Sequence, residues 1–77
     1  MTIYYLQSKR VNDQYDHKLL DGTRKVICEG TKDHVRGKPN LPDSTVLAYI
    51  ETNELELSRR GDVIRGLEIK FDIEPKK

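Results

Sequence analysis

From residue 67 to residue 74 apolar and charged positions alternate without a break, Leu67, Ile69, Phe71 and Ile73 against Glu68, Lys70, Asp72 and Glu74. Successive side chains of a pleated strand point to opposite faces, so the pattern predicts a strand with one apolar stripe and one wet face. A helix would scatter the four apolar residues around its circumference. The stripe holds the only phenylalanine of the chain, and it is the expected line against which the other strands pack.

Residues 2–8 are rich in β-formers, with Ile3, Tyr4, Tyr5 and Leu6 consecutive, which suits a strand touched on both faces. The polar stretch 9–16, with Asn12 and Asp13, predicts a reversal. A hairpin follows over 15–30: Leu19 and Leu20, then Asp21-Gly22, then Val26, Ile27 and Cys28. Asp-Gly between strand-like runs predicts a type I′ turn, with Val26 and Cys28 on one face of the second arm and Lys25, Ile27 and Glu29 on the other.

Between residues 30 and 44 the only large apolar residues are Val35 and Leu41, and Gly37, Pro39 and Pro42 punctuate the run. This predicts a long polar loop, with room for a short helical turn at 31–35. Residues 45–51 hold Thr45, Val46, Tyr49 and Ile50, and residues 54–58 alternate Leu55 and Leu57 with acids, so both are expected as strands. The competing readings are a helix after Pro42 capped by Asp43 or Ser44, and a helix over about 53–60 capped by Asn53 with Glu56 three residues on. Arg60-Gly61-Asp62 is expected to turn the chain into the last strand, where Gly66 marks a bulge.

The expected fold is a β-rich small single domain over residues 1–74, an antiparallel meander of hairpins with five or six strands, ending in a frayed tail at 75–77. The alternative is an α+β domain with one short helix near 43–60.

Composition narrows this picture. Hydrophobic residues make up 35% of 77, so the core is small or shared with a partner, and homodimerisation through an exposed strand edge is expected. Fourteen Lys and Arg nearly cancel thirteen Asp and Glu, which speaks against a uniformly basic nucleic-acid binder. The balance is uneven, however: residues 1–40 carry eight basic against five acidic side chains, and residues 41–77 six against eight. Cys28 is the only cysteine; it rules out an internal disulfide, fits a reducing cytoplasmic setting and is expected as a buried structural thiol. No basic start leads into a long apolar run, and no stretch approaches ~20 apolar residues, so no membrane partner is expected.

Candidate chemistry is sparse. Asp16-His17 and Asp33-His34 match no metal spacing, and both histidines are expected as exposed side chains. Cys28 beside a histidine is the one nucleophile to consider. The glycines at 22, 30, 37, 61 and 66 form no phosphate-cradling cluster. Neither an enzyme nor a bound cofactor or metal is expected.

What remains are surfaces. Arg59, Arg60 and Arg65 surround one turn, and His34, Arg36 and Lys38 make the long loop basic; planar, multidentate arginines favour these six for contact with a larger protein. In size and soluble character the chain resembles the small proteins with which phages and other mobile elements block host defence, anti-CRISPR proteins among them, a resemblance that involves no particular residues. It implies a steric mechanism, the arginines and the 31–40 loop covering a working surface of the target. The alternative is a nucleic-acid-binding β module using Lys9, Arg10, Arg24 and Lys25 on phosphates and tyrosines on bases.

Overall fold

The computed structural model describes residues 2–37, 39–60 and 66–74. Four strands form one antiparallel sheet: β1 (Thr2–Val11), β2 (Gln14–Asp21), β3 (Val26–Gly30) and β4 (Leu67–Ile73), in the order β3-β2-β1-β4. Two helices, α1 (Lys32–Gly37) and α2 (Asp43–Arg60), lie between β3 and β4 in sequence. The sheet therefore starts as a three-stranded meander, and its last strand crosses over to pair with its first.

Alternation along the strands sorts the residues into two faces. Tyr4, Leu6 and Ser8 of β1 and His17 and Leu19 of β2 are buried; the register sets Phe71, Ile69 and Leu67 of β4 beside Tyr4, Leu6 and Ser8. Val46 and Ile50 of α2, Val35 of α1 and Leu41 between the helices close this face into one core. Phe71 sits between two tyrosines, its ring centroid 4.4 Å from Tyr49 and 6.0 Å from Tyr4. The apolar stripe of β4 thus faces inward as its pattern predicts. The line on which the strands pack is nevertheless β1, which pairs on both sides, while β4 is an edge.

The sheet has four strands, not five or six, and the two strands expected at 45–51 and 54–58 are one helix of 18 residues. Val46, Ile50, Asn53 and Leu57 are its buried positions, a spacing of four, three and four that makes a single stripe down a helix of 3.6 residues per turn. Leu55 and Leu57, which alternate as in a strand, stand nearly opposite each other on a helix: Leu57 is buried and Leu55 is 61% exposed. Helix-averse Thr52 is accommodated by donating from Oγ1 to the Ala48 carbonyl at 2.8 Å. Asp43 in the first turn and Arg59 and Arg60 in the last suit the helix dipole.

The polar loop expected over 30–44 contains α1, longer than the single turn at 31–35. Val35 N donates to the Thr31 carbonyl, and Val35 and Leu41, the two large apolar residues of the stretch, are both plugs in the core. The chain enters α1 through Gly30 at φ 141°, where a Cβ would stand 3.0 Å from the His34 ring; only glycine fits that conformation in that space.

Both hairpins form, with different turn chemistry. Asn12 takes φ 56° in the two-residue turn between β1 and β2. Between β2 and β3 the left-handed residue is Arg24 (φ 67°), not Gly22, because the loop is a three-residue one: Asp21 N donates to Lys25 O, and Arg24 N to Asp21 O. The Asp21 carboxylate stitches it, accepting from Thr23 N (2.9 Å), Thr23 Oγ1 (2.6 Å) and Lys25 N (3.0 Å). These bonds, the Thr23 hydroxyl foremost, hold the Asp21 carboxyl below the ordinary carboxylate range. The bulge expected at Gly66 lies elsewhere: the register slips between Leu19 and Leu20, where Ile27 is the extra residue of β3. That slip leaves Val26 and Ile27 both exposed, at 44% and 42%, in place of the clean two-face split expected for this arm. Arg65, Lys38, the turn expected at Arg60-Gly61-Asp62 and the tail at 75–77 lie outside the described residues.

Candidate functional site

Two features could carry function: a buried polar chain beneath α2, and the face of the sheet that no helix covers.

The polar chain begins at Asn53, fully buried, whose Nδ2 donates to the Leu6 carbonyl (3.4 Å) and to Ser8 Oγ (2.8 Å). The bond to the carbonyl fixes the orientation of the amide, because only its NH2 can donate. Ser8 Oγ lies 2.7 Å from His17 Nδ1, and His17 Nε2 lies 2.8 Å from Glu54 Oε2. In the neutral tautomer that gives its Nε2 proton to the Glu54 carboxylate, Nδ1 accepts the Ser8 hydroxyl proton while Ser8 Oγ accepts from Asn53. One proton per bond runs from helix to sheet and back.

Serine, histidine and carboxylate in that connection are the parts of a nucleophilic triad, with the two ring nitrogens exchanged. Three observations give them another role. Ser8 and His17 are each 2% exposed. The lone pair that Ser8 would use on a substrate already accepts from Asn53. Ser8 lies within β1, its hydroxyl turned to Asn53 of α2. The chain is a clasp that fixes α2 against β1 and β2, with Glu54 as its wet end and Asn53 Oδ1 left as a buried acceptor without a partner. Ser8→Ala should cost about 1–3 kcal/mol in urea unfolding, since it strands both the His17 Nδ1 acceptor and the Asn53 donor. A loss within a few tenths of a kcal/mol would show that the clasp is dispensable.

His17 is therefore not the exposed side chain expected, because its parity with Leu19 along β2 aims it inward; His34 is exposed. The hydroxyl that histidine meets belongs to Ser8; the Cys28 thiol points to the Val35 carbonyl, 3.8 Å away. Among the described residues, no group of three or more His, Cys, Asp or Glu could hold a metal ion.

The open face is organised in rows across the strands. One row runs Val26, Leu20, Tyr5, Lys70; the next runs Glu29, Lys18, Gln7, Glu68; Ile3 stands opposite Asp72, and Lys9 opposite Asp16. Arg24 reaches back from its turn over this face. Its guanidinium carbon lies 4.3 Å from the centroid of the Tyr5 ring, and its two terminal nitrogens fork onto Glu68 at 2.9 and 3.3 Å. Gln7 Nε2 adds a third bond to Glu68 at 2.9 Å. Arg24 first and Gln7 second hold the Glu68 carboxyl below its ordinary range, and Glu68 in turn raises Arg24. A depressed carboxylate stabilises the fold above the range in which a free carboxyl titrates, and that contribution disappears as pH falls through the lowered value. The Arg24 Nη protons should therefore be protected relative to a free arginine at neutral pH and lose that protection as pH falls through the lowered Glu68 value. In Glu68→Gln the protection should already be reduced at pH 7. A pH-independent signal would mean that the fork is absent in solution.

Beyond this strap lies a hollow of about 320 Å³ lined by Gln7, Lys9, Asp16, Lys18, Glu29 and Glu68 together with Ser8 and His17.

The basic residues singled out from the sequence are placed as follows. His34 and Arg36 lie on α1 and Arg59 and Arg60 at the end of α2, all in the helical layer, with Arg36 near Asp33 (3.7 Å) and Arg59 near Glu56 (3.4 Å). Lys9, Arg10, Arg24 and Lys25 are not gathered. Arg10 stays by the β1–β2 turn, 3.8 Å from Asp13 and over the Tyr15 ring, while Arg24 and Lys25 are at the far end of β2, roughly 23 Å away at ~3.3 Å per residue. Ser8, Asn53 and Glu54 were missed altogether. The signal for Ser8 was its parity, shared with Tyr4 and Leu6; that for Asn53 was its place three residues after Ile50.

No helix among the described residues is long and apolar enough to cross a membrane. The chain matches no protein-family model, no curated protein and no solved structure.

Proposed function

We propose that this chain is a small non-catalytic protein-interaction module that binds a larger protein and blocks it sterically. The open sheet face carries the reading. Ile3 and Val26 are 37% and 44% exposed there, apolar positions rimmed by charges of both signs, the composition of a contact surface with a dry centre and a polar border. The partner surface that fits it is itself apolar at the centre with mixed charge around it. A host defence assembly, the target class of the small mobile-element inhibitors that the chain resembles in size, is the partner to try first.

The same face argues against nucleic acid. Lys9, Lys18, Arg24 and Lys70 stand among Asp16, Glu29, Glu68 and Asp72, so it offers phosphates no net positive field. The one aromatic ring on it, Tyr5, already lies under the Arg24 guanidinium, where a base would have to stack. Labelled mixed-sequence DNA and RNA should show no anisotropy change with this protein at about 50 mM or 200 mM salt. Tight binding that collapses at the higher salt would replace this reading.

The deciding experiment immobilises the protein and passes host lysate over it, in parallel with Ile3→Asp/Val26→Asp on the sheet face and Arg59→Glu/Arg60→Glu on the helical layer. Retention lost with the first pair and kept with the second is the expected result. Loss with the second pair alone would move the contact to the helical arginines; failure to retain any protein would leave the module reading without support.

A further inference from the structure

We infer that β4 is the seam of a symmetric homodimer, in which two copies pair antiparallel through this edge with Ile69 opposite Ile69 of the second copy, extending the sheet to eight strands.

The two edges of the sheet differ in what they offer. β3 is five residues long, carries the register slip and runs directly into α1. Short, bulged edges of this kind resist pairing. β4 is seven residues long, its register to β1 is unbroken, and it contains neither proline nor glycine. Among the described residues no strand lies beyond it. Leu67 and Ile69, on its helix-facing side, remain half-buried although they belong to the apolar stripe. Covering them is what a neighbouring strand would do.

Its charges select the occupant. Antiparallel pairing about a two-fold axis perpendicular to the sheet sets some residue opposite its own copy, and directly opposite residues then point to the same face. Centred on Lys70, the pairing would set lysine on lysine and Glu68 on Asp72, all like charges. Centred on Glu68 or Asp72, it would oppose two identical carboxylates; centred on Phe71, it would set Lys70 against Asp72 twice but also Glu68 against Glu74 twice. Centred on Ile69, it sets Glu68 against Lys70 twice, Asp72 against Gly66, and on the inner face Leu67 against Phe71 around the Ile69 pair. Every directly opposed pair of charges is then of opposite sign. Cross-strand pairs of opposite charge stabilise a sheet and like pairs weaken it. The exposed lysine in the middle of the edge, a guard against indiscriminate strand addition, becomes a complementary group in this register with no like-charge pair beside it. Because the axis is perpendicular to the sheet, both helical layers fall on one side and both open faces on the other, so the partner-binding face is doubled.

Light scattering after gel filtration tests the register. The native chain, 9.0 kDa as a monomer, should run at twice that mass at high concentration. Lys70→Glu alone creates two like-charge pairs and should raise the dimer dissociation constant at least ~10-fold; Glu68→Lys does the same and also cuts the Arg24 fork, so the double swap Glu68→Lys/Lys70→Glu should recover the dimer but not the fork. A native chain that stays monomeric overturns the inference, and so does a dimer that ignores the single swaps. Should a swapped chain lose its far-UV spectrum, amide exchange of native residues 67–73 decides instead. Protection that rises with protein concentration supports the seam, and protection independent of concentration removes it.

Discussion

Phe71→Ala should lower the unfolding free energy by about 3–5 kcal/mol, the range for emptying a large aromatic site in a core. The argument rests on what the ring touches. It lies between Tyr49 of α2 and Tyr4 of β1, so removing it opens a cavity at the junction of helix, edge strand and central strand, and also dissolves two aromatic contacts worth about 0.5–1.5 kcal/mol each. A chain of 77 residues holds only about 4–12 kcal/mol in total, at roughly 0.05–0.15 kcal/mol per residue, so this one change removes about a quarter of it or more. The variant's thermal midpoint should fall by about 15 °C or more. Phe71→Leu should recover over half of the loss, because it refills volume without the rings. If Phe71→Ala costs less than about 1 kcal/mol, the stacked arrangement is not the core of the folded protein.

Gly66→Ala is expected to be nearly as damaging, at about 2–4 kcal/mol, for a different reason. A Cβ at this position would stand 2.5 Å from the Ser8 carbonyl oxygen and 3.3 Å from Lys9 Cβ. Backbone cannot swing aside as a side-chain tip can, so β4 would have to separate from β1 where the two begin to pair, at Leu67 and Ser8. Overpacking of this kind costs about 1–3 kcal/mol in side-chain cores and more where main chain is displaced. The loss should appear in urea unfolding together with exchange of the β4 amides at low denaturant. A variant as stable as the parent, with β4 still protected, would show that the close approach at Ser8 is not present in solution.

Where one residue in two is apolar, the sheet was legible. β4 followed from its alternation, and β1 from a run of β-formers with a partner on each side. α2 was legible only as the competing reading, for a specific reason. Thr45, Val46, Ile50 and Thr52 are β-branched, and the position that would have completed the helical stripe is occupied by Asn53, a polar residue whose burial depends on Ser8 and Leu6, more than forty positions away. Local propensity pointed to strand, and packing against the sheet overrode it. The clasp was invisible for the same reason: its members come from β1, β2 and α2, and only the tertiary fold makes Ser8, His17 and Glu54 neighbours. The turn at Asp21 misled in the opposite sense. Asp-Gly suggested a two-residue loop, whereas the bonds made by the Asp21 side chain favour a longer one. The basic residues could be read as exposed, but nothing in the linear order separates those on the helical layer from Arg24, which is tied down across the open face.

The central strand is the first made and its second neighbour the last. As the chain leaves the ribosome, β1, β2 and β3 can zip together from local turns, yet one side of β1 stays unpaired until Leu67 and the residues after it have been synthesised. Throughout that interval Tyr4, Leu6 and the unsatisfied peptide groups beside them form a naked sheet edge, the kind of surface that attracts other nascent chains. Any delay between the emergence of β1 and that of β4 should thus prolong the exposure of this edge to other chains.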